Sequence, residues 1–319
     1  MLFPDTVNDA YKQIRPYVRK TPLEPAHTLY TNQREVYLKL ECLQHTRSFK
    51  VRGALNKLLS LDDEEKEKGI VTASTGNHGM AVTFGLKQLD VSGTIYLPET
   101  VSERKLNVLK RYGANVQFFG DDSVYTEQYA RKQADERGQV YISPYNDPKV
   151  VAGQGTIGVE LLNQLPSLDA VFVPVGGGGM IGGISGYLKA KNPAIRIIGC
   201  LPANSPVMLE SIEAGKIVAG TVLPTLSDGT VGGIEEGAIT FDLCRQHVDD
   251  WVLVEEEEIQ AGMKLLFDEY NLVVEGAAGV SVASFLKYTK ANPSADLNRV
   301  VIVLCGGNVD VEQFKRLVF

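Results

Sequence analysis

The sequence predicts an α/β protein with two parallel sheets, each a three-layer domain covered by helices on both faces, the smaller domain inserted in the larger. Three observations favour it. Strand-length apolar runs alternate with segments of helical spacing. Short joints with glycine and proline separate them. A chain of 319 residues is long enough for two domains. We place the larger domain at 1–66 and 147–319 and the smaller at 67–146.

The apolar runs define the predicted strands in chain order. They lie at 36–40, 70–73, 94–97, 116–119, 170–175, 196–201, 251–254 and 300–304. Apolar spacings of three and four predict helices at 77–89, 102–112, 123–137 and 256–270. The runs between 70 and 119 would form the smaller sheet, and the run at 36–40 would join the larger one. Ligand sites of such sheets lie where strands end, so the loops after strands are the candidates.

Composition excludes several classes of protein. Hydrophobic residues make up 44% and charged residues 22%, which speaks against disorder. The net charge of −7 lacks the basic surplus of a nucleic-acid binder. No apolar run reaches the ~18 residues of a membrane span, and the N-terminus lacks a leader pattern. The four cysteines of the chain are widely spaced and form no C-x-x-C pair, which is typical of a protein whose thiols stay reduced. We therefore expect a cytoplasmic protein without nucleic-acid or membrane partners.

The first candidate motif is Ser48-Phe49-Lys50-Val51-Arg52-Gly53-Ala54, which opens an amphipathic helix. A lysine there is ordinarily a solvated surface residue. Phe49 and Val51 flank Lys50 with apolar surface, however, and desolvation lowers the pKa of an ammonium group. The motif therefore favours a free amine suited to Schiff-base chemistry.

The second motif is Ser74-Thr75-Gly76-Asn77-His78-Gly79, directly after the predicted strand at 70–73. A helix N-cap would explain one or two of its polar residues. A turn with this many hydroxyl, amide and backbone N–H donors also suits a carboxylate or phosphate. His78 alone is weak evidence, since a lone histidine is more often structural than catalytic.

The third motif is the run Gly176 to Gly179, followed by Met180, after the strand at 170–175. Four glycines cost conformational entropy and add no packing, so a structural role explains them poorly. Their backbone N–H groups and the following helix N-terminus predict a phosphate site. Gly177, Gly179 and Gly182 also match G-x-G-x-x-G, which raises a nicotinamide-dependent oxidoreductase as an alternative. The next strand ends without the acid that would hold a ribose, which disfavours it.

The fourth motif is Cys305-Gly306-Gly307-Asn308, at the end of the last predicted strand. One interpretation is a tight turn with Cys305 as a small apolar filler. The other is a thiol that faces a cofactor atom, with glycines that allow close approach.

Together the motifs S-F-K-x-R-G-A, S-x-G-N-H-G, G-G-G-G and G-G-N resemble the β-family (fold type II) of pyridoxal 5′-phosphate (PLP) enzymes. The resemblance is to the serine/threonine dehydratase and serine racemase group, with a tryptophan synthase β-like fold. It extends from Thr21 to Asp310. It implies PLP as cofactor and a homodimer or larger assembly.

The resemblance also implies a role for each motif. Lys50 is similar to the lysine that forms the Schiff base with PLP and then acts as base. The implied phosphate site is Gly176, Gly177, Gly178, Gly179 and Met180. Asn77 matches the partner of the ring hydroxyl, and Cys305 the partner of the pyridine nitrogen. The positions that match the substrate carboxylate site are Ser74, Thr75, Asn77 and His78.

The implied activity is a PLP-dependent ammonia-lyase that converts L-threonine or L-serine to a 2-oxo acid and ammonia. Dehydratases of 3-hydroxyaspartate, phenylserine or a hydroxyectoine-derived amino acid remain alternatives. Serine racemase is another, although Thr75 replaces the serine that racemases use as second base. A non-catalytic binding protein on the same scaffold would not need Lys50.

Four further expectations come from the resemblance. Leu201 and Val207 replace the acids of metal-binding members, so we expect no divalent metal site. The chain ends at Phe319, and we expect no C-terminal regulatory domain. Glu275 is either an acid near the cofactor ring or a helix cap, and the loop 227–233 borders the cofactor.

Overall fold

The computed structural model describes residues 4–31, 33–293 and 297–319 of the chain. Ten strands are present within these ranges. They are β1 (Leu23–Pro25), β2 (Glu35–Lys39), β3 (Ile70–Ala73), β4 (Gly93–Leu97), β5 (Val116–Phe118), β6 (Val140–Tyr141), β7 (Ala170–Pro174), β8 (Arg196–Pro202), β9 (Asp250–Val254) and β10 (Arg299–Val303).

Thirteen α-helices connect or flank these strands in the described ranges. They are α1 (Pro4–Ile14), α2 (Lys50–Leu59), α3 (Asp63–Lys68), α4 (Asn77–Leu89), α5 (Glu103–Tyr112), α6 (Ser123–Arg137), α7 (Pro148–Gln164), α8 (Gly179–Lys191), α9 (Val207–Glu213), α10 (Ile239–His247), α11 (Glu256–Tyr270), α12 (Gly276–Ala291) and α13 (Val311–Val318). None of the described helices is both long and apolar enough to cross a bilayer.

The larger sheet has six strands in the order β1-β2-β10-β7-β8-β9. All neighbouring pairs are parallel except β1 with β2. Every residue of β7 is buried, because helices cover both faces of the sheet. Phe172 in β7 makes edge-to-face contacts with Phe285 and Tyr288 of α12, whereas α7 and α8 pack together on the other side.

The smaller sheet has four parallel strands in the order β5-β4-β3-β6. Its strands fall between α3 and α7 in the chain, so the chain leaves the six-stranded sheet and later returns to it. The α/β fold with two parallel sheets is thereby confirmed. The domain limits 67–146 stay a prediction.

Two strands were missing from the sequence prediction. β1 spans three residues and β6 only two, too short for a periodic pattern. The run predicted at 36–40 does join the larger sheet, where β2 pairs with β10. The other seven predicted strands agree with the structure to within one residue at each end.

A buried charge cluster fixes the start of α2 against the larger sheet. The Arg52 guanidinium donates two hydrogen bonds of 2.8 Å to Glu41 and one of 2.8 Å to Glu160. The ammonium of Lys39 lies 2.6 Å from the other oxygen of Glu160. All four side chains are inaccessible to solvent. Two positive and two negative charges balance there, and they hold the helix on which Lys50 is the first residue.

Candidate active site

One cavity of about 1130 Å³ lies between the loops of the two sheets. It is lined by all the residues to which sequence reasoning assigned a role in cofactor or substrate binding, although they come from distant parts of the chain. These are Lys50, Ser74, Thr75, Asn77, His78, Gly176, Gly177, Gly178, Gly179, Met180 and Cys305. The carboxyl ends of β3, β7 and β10 deliver the last three motifs, as expected for parallel sheets.

Lys50 points its amine into this cavity, so the alternative of a solvated surface lysine does not hold. Its Nζ donates a 2.9 Å hydrogen bond to the carbonyl of Pro144. Burial lowers the pKa of this amine to about 8, and the nearby Cys305 and Glu275 oppose the shift only in part. About a tenth of the amine is therefore neutral and nucleophilic at pH 7, far more than for an ordinary lysine.

The turn between β3 and α4 leaves a helix N-terminus open to the cavity. Gly76 is the N-cap, and no side chain caps the helix in the described part of the chain. No side chain of the motif therefore caps α4 itself. Ser74 Oγ instead accepts a 3.2 Å hydrogen bond from the Gly76 N–H. A Cβ at Gly79 would lie 2.3 Å from the Ser74 carbonyl, so this tight turn requires glycine.

His78 lies in the first turn of α4 and is buried. Its Nε2 is 3.0 Å from the Ile142 carbonyl, which makes Nε2 the protonated nitrogen. Burial, aided by the positive charge of Lys50, lowers the pKa of His78 to about 3. The ring therefore brings neither charge nor a free N–H to the cavity, and its contact with a substrate carboxylate stays a prediction.

The glycine run forms a tight turn between β7 and α8. Gly178 is the N-cap in the left-handed region, with φ of 82°, and no described side chain caps the helix. A Cβ at Gly177 would lie 2.5 Å from the Tyr145 ring, and one at Gly176 would lie 2.9 Å from the Thr230 Cα. Neighbouring groups thus leave room only for bare backbone, whose N–H groups can approach an anion closely.

Cys305 follows β10 and lines the same cavity, which favours the interpretation of a thiol that faces a ligand. Burial raises its pKa well above the usual range, and the neighbouring Glu275 adds to the shift. The group is therefore a neutral thiol, a weak hydrogen-bond donor without fixed charge.

Glu275 is the N-cap residue of α12 by position, yet its side chain does not cap that helix. Its carboxylate instead accepts hydrogen bonds from Asn77 Nδ2, at 2.9 and 3.0 Å, and from the backbone N–H of Asn308, at 2.7 Å. Burial raises the pKa of Glu275 to about 7. Of the two interpretations of this residue, the acid in the cavity is the one that the structure supports.

The cavity residues that sequence reasoning missed include Tyr145, behind the glycine turn, and Arg47, and it gave no role to Asn308 of the fourth motif. Tyr145 follows the two-residue strand β6, so no strand-end signal marked it. Arg47 has a positive φ of 55°, and its Nε donates to the Gly307 carbonyl. The loop 227–233 was expected beside the cofactor, and its residues 228–231 line the cavity.

The two residues considered for a metal site lie at β8 and α9. Leu201 is buried in β8, and Val207 begins α9. Among the described residues no group of three or more histidine, cysteine, aspartate or glutamate side chains is arranged to hold a metal ion. The absence of a divalent site remains an expectation from the side chains at these positions.

The two sheets, and a cavity lined by Lys50, the open glycine turn and Cys305, together indicate the class of protein to which the chain belongs. The chain matches the model of the pyridoxal-phosphate dependent enzyme family over residues 14–306 and belongs to that family. PLP is accordingly its cofactor, and the nicotinamide alternative is wrong.

Curated relatives and solved structures agree with this assignment. An L-threonine ammonia-lyase of Thermotoga maritima is 36% identical over 100% of this chain and 78% of its own. The catabolic L-threonine dehydratase TdcB of Staphylococcus aureus is 40% identical over 96% of this chain and 88% of its own. The structure of maize serine racemase superposes with a TM-score of 0.92 at 32% identity, covering 98% of this chain and 95% of the other.

The residues of the cavity fit PLP by their own chemistry. The turn at Gly176–Gly179 has no room for a Cβ at Gly177, and an uncapped helix end offers N–H groups to an anion. The amine of Lys50, with its lowered pKa, suits an aldehyde. The donor set is therefore appropriate for a phosphate at one end and a carbonyl at the other.

Proposed function

We propose that this chain is a PLP-dependent ammonia-lyase that converts L-threonine or L-serine to the corresponding 2-oxo acid and ammonia. The observation behind the proposal is the partly neutral amine of Lys50 in the same cavity as the open glycine turn. The relatives named L-threonine ammonia-lyase and L-threonine dehydratase support the reaction class.

Lys50 has two tasks in this proposal. Its amine would hold the cofactor through the aldehyde group, and when free it would take the Cα proton of the substrate. A pKa of about 8 suits both tasks, because the neutral amine is available near neutral pH and its conjugate acid can return a proton. PLP supplies the electron sink that makes this proton removable.

The substrate carboxylate is proposed to bind at the start of α4. Thr75 and Ser74 line the cavity there, and the uncapped helix end presents backbone N–H groups with a favourable dipole. Asn77 begins the same helix and is proposed as the partner of the ring hydroxyl. A substrate held there would lie in the same cavity as the Lys50 amine.

The proposed ring-nitrogen partner, Cys305, decides which reactions are favoured. A neutral thiol cannot supply the fixed negative charge that would hold a proton on the pyridine nitrogen. The ring is then a modest electron sink, which favours loss of a β-hydroxyl group over reactions that need a long-lived carbanion.

The direct test is incubation of the purified protein with L-threonine, L-serine, 3-hydroxyaspartate, phenylserine and a hydroxyectoine-derived amino acid, while 2-oxo acid and ammonia are measured. We expect both products in equal amounts from L-threonine or L-serine. Lys50→Ala is the control and should release neither. Lack of 2-oxo acid from every substrate, with PLP bound, would refute the elimination activity. Activity of Lys50→Ala equal to wild type would instead favour a binding protein.

Serine racemase is a second candidate, which the similarity to the maize enzyme favours. Thr75 keeps a hydroxyl at the position of the second base, although its β-branched side chain is stiffer than serine. Chiral chromatography of the unreacted serine decides between them. D-serine that accumulates faster than 2-oxo acid would indicate a racemase.

We further propose domain limits of 1–66 with 147–319 and 67–146, a cytoplasmic location and a homodimer or larger assembly. The two separate sheets support the domain limits. Light scattering after size-exclusion chromatography tests the assembly, and a monomer would contradict it.

A further inference from the structure

Three side chains meet where the smaller sheet faces the larger one. Asn77 begins α4 beside the smaller sheet, whereas Glu275 and Asn308 belong to the segments around the larger sheet. Asn77 Nδ2 lies 3.0 and 2.9 Å from the two oxygens of Glu275. Asn77 Oδ1 accepts a 2.8 Å hydrogen bond from Asn308 Nδ2. Both ends of the Asn77 amide are therefore occupied.

The two partners dictate the same orientation of that amide. A rotation by 180° would place the carbonyl oxygen against the carboxylate of Glu275 and the NH₂ group against the NH₂ group of Asn308. Each contact would then bring together two acceptors or two donors, and buried polar groups without partners are costly. The amide is thus held by two independent contacts.

The partners are themselves fixed. Asn308 Nδ2 also donates to the Thr46 carbonyl at 2.8 Å, and its backbone N–H donates to Glu275 at 2.7 Å. The Glu275 carboxylate rests against Gly306, where a Cβ would approach it to 2.7 Å. The contact explains why glycine occupies position 306, and the hydrogen bonds keep the carboxylate directed at Asn77.

We propose that Glu275 and Asn308 are positioning residues that orient the Asn77 amide so that it offers a hydrogen-bond donor to a ring oxygen of PLP. An amide NH₂ group has two hydrogens. One directed between the oxygens of Glu275 satisfies both contacts and leaves the second for a ligand. The inference rests on the proposed role of Asn77 in cofactor binding, and it adds to that role the device that sets the amide's direction.

The protonation state of Glu275 depends on the charged groups around it. Burial raises its pKa to about 7, and the nearby Asp228 raises it further, while Asn77, Asn308 and Arg47 act in the opposite direction. Its anionic form makes the stronger, charge-assisted hydrogen bonds to Asn77. Binding should therefore be measured well above pH 7, where Glu275 is ionised.

A double-mutant cycle tests the proposal through cofactor affinity, without recourse to activity. The variants are Glu275→Gln, Asn77→Ala and the pair together, and the readouts are the PLP dissociation constant and the visible absorption band. We expect Glu275→Gln to weaken PLP binding about tenfold and to shift the band, because it loses a charge-assisted contact. In the Asn77→Ala protein the same change should alter affinity less than twofold.

Asp228→Asn is the matched control, since it removes a neighbouring carboxylate that makes no hydrogen bond to Asn77. Its effect on PLP affinity should be the same with Asn77 present or absent. If Glu275→Gln fails to fold, Asn308→Ala replaces it with the same expectation. Wild-type affinity and spectrum in Glu275→Gln, or effects of Glu275 and Asn77 that multiply, would overturn the proposal. If the effects of Glu275 and Asn77 on PLP affinity are coupled but no substrate yields a 2-oxo acid, only the proposed activity is contradicted.

Discussion

At the scale of single residues, the chemistry of the site depends on the environment of Lys50. The side chain is half-buried beside the Phe49 ring, with Nζ 5.3 Å from the ring centroid, and the amine donates a hydrogen bond to one backbone carbonyl. Desolvation outweighs the nearby acidic groups, and this balance sets its pKa to about 8. The first residue of a helix thereby becomes a nucleophile.

The first prediction concerns the titration of this amine in cofactor-free protein. Because burial disfavours the charged form, the neutral amine should appear as the pH rises through about 8, below the ordinary value of about 10.4. Labelling with an amine-reactive anhydride across a pH series, followed by peptide mass spectrometry, measures it. Peptides with exposed lysines are the internal control. Half-maximal labelling of Lys50 above pH 10 would contradict the prediction.

The role of a residue was predictable from sequence where several functional side chains or glycines stand next to one another in one motif. Lys50 and the glycine run belong to such motifs, and the structure places both in the cavity. The contact between Glu275 and Asn77 joins positions 198 residues apart, so no local pattern reveals it. Tyr145 was missed for the same reason, since its contact with Gly177 exists only after folding.

At the scale of elements, the turn that precedes α8 can bind an anion because its glycines have no side chains to cover the backbone N–H groups. We expect Gly177→Ala to weaken PLP binding and to lower the free energy of unfolding by about 1–3 kcal/mol, since the new Cβ would overlap the Tyr145 ring. Gly233→Ala is the control, because its Cβ would meet nothing within 4 Å. Fluorescence titration with PLP and urea unfolding measure both. Equal behaviour of the two variants would argue against this turn as the phosphate site.

The start of α2 depends on the buried charge cluster. We expect Arg52→Met to cost about 3–5 kcal/mol in the free energy of unfolding, because Glu41 and Glu160 would remain buried with an unbalanced charge. Lys287→Met removes an ion pair of half-exposed side chains and should cost less than about 1 kcal/mol. Urea unfolding compares them. Similar losses in both variants would show that the cluster does not anchor the helix.

Long strands were predictable from the sequence, whereas two of the shortest strands were not. Long apolar runs predicted the central strands, because every residue of β7 and all but the first residue of β10 are buried and the strands read as continuous apolar segments. β1 and β6 are defined by pairing with a neighbour rather than by their own composition. Their residues are mostly half-buried or exposed, so no apolar run marks them.

At the scale of the whole molecule, ion pairs connect the two sheet units across the cavity. Arg104 of α5 lies 2.8 Å from Asp310, and it also donates to the Val309 carbonyl. Arg131 of α6 lies 2.5 Å from Glu235, close to the loop that borders the cavity. Their side chains are partly exposed, so these pairs contribute little to the free energy of unfolding. They link α5 and α6 of the smaller sheet to segments beside the cavity.

We therefore expect Arg131→Ala to loosen the cavity without unfolding the protein. The melting temperature should change little, while KM for the substrate rises and hydrogen exchange speeds up in the segment 227–238. Lys132→Ala is the matched control, because Lys132 pairs only with Glu136 on its own helix among the described contacts. Unchanged exchange and KM in Arg131→Ala would mean that this bridge does not organise the site.

The most direct test of the account is the position of the cofactor on the chain. Freshly purified protein is reduced with borohydride, digested and mapped by mass spectrometry. We predict that the phosphopyridoxyl group is found on the peptide that contains Lys50, and that the visible absorption band disappears on reduction. A label on any other lysine, or no label in protein isolated with ample PLP, would contradict the assignment of this cavity as the active site.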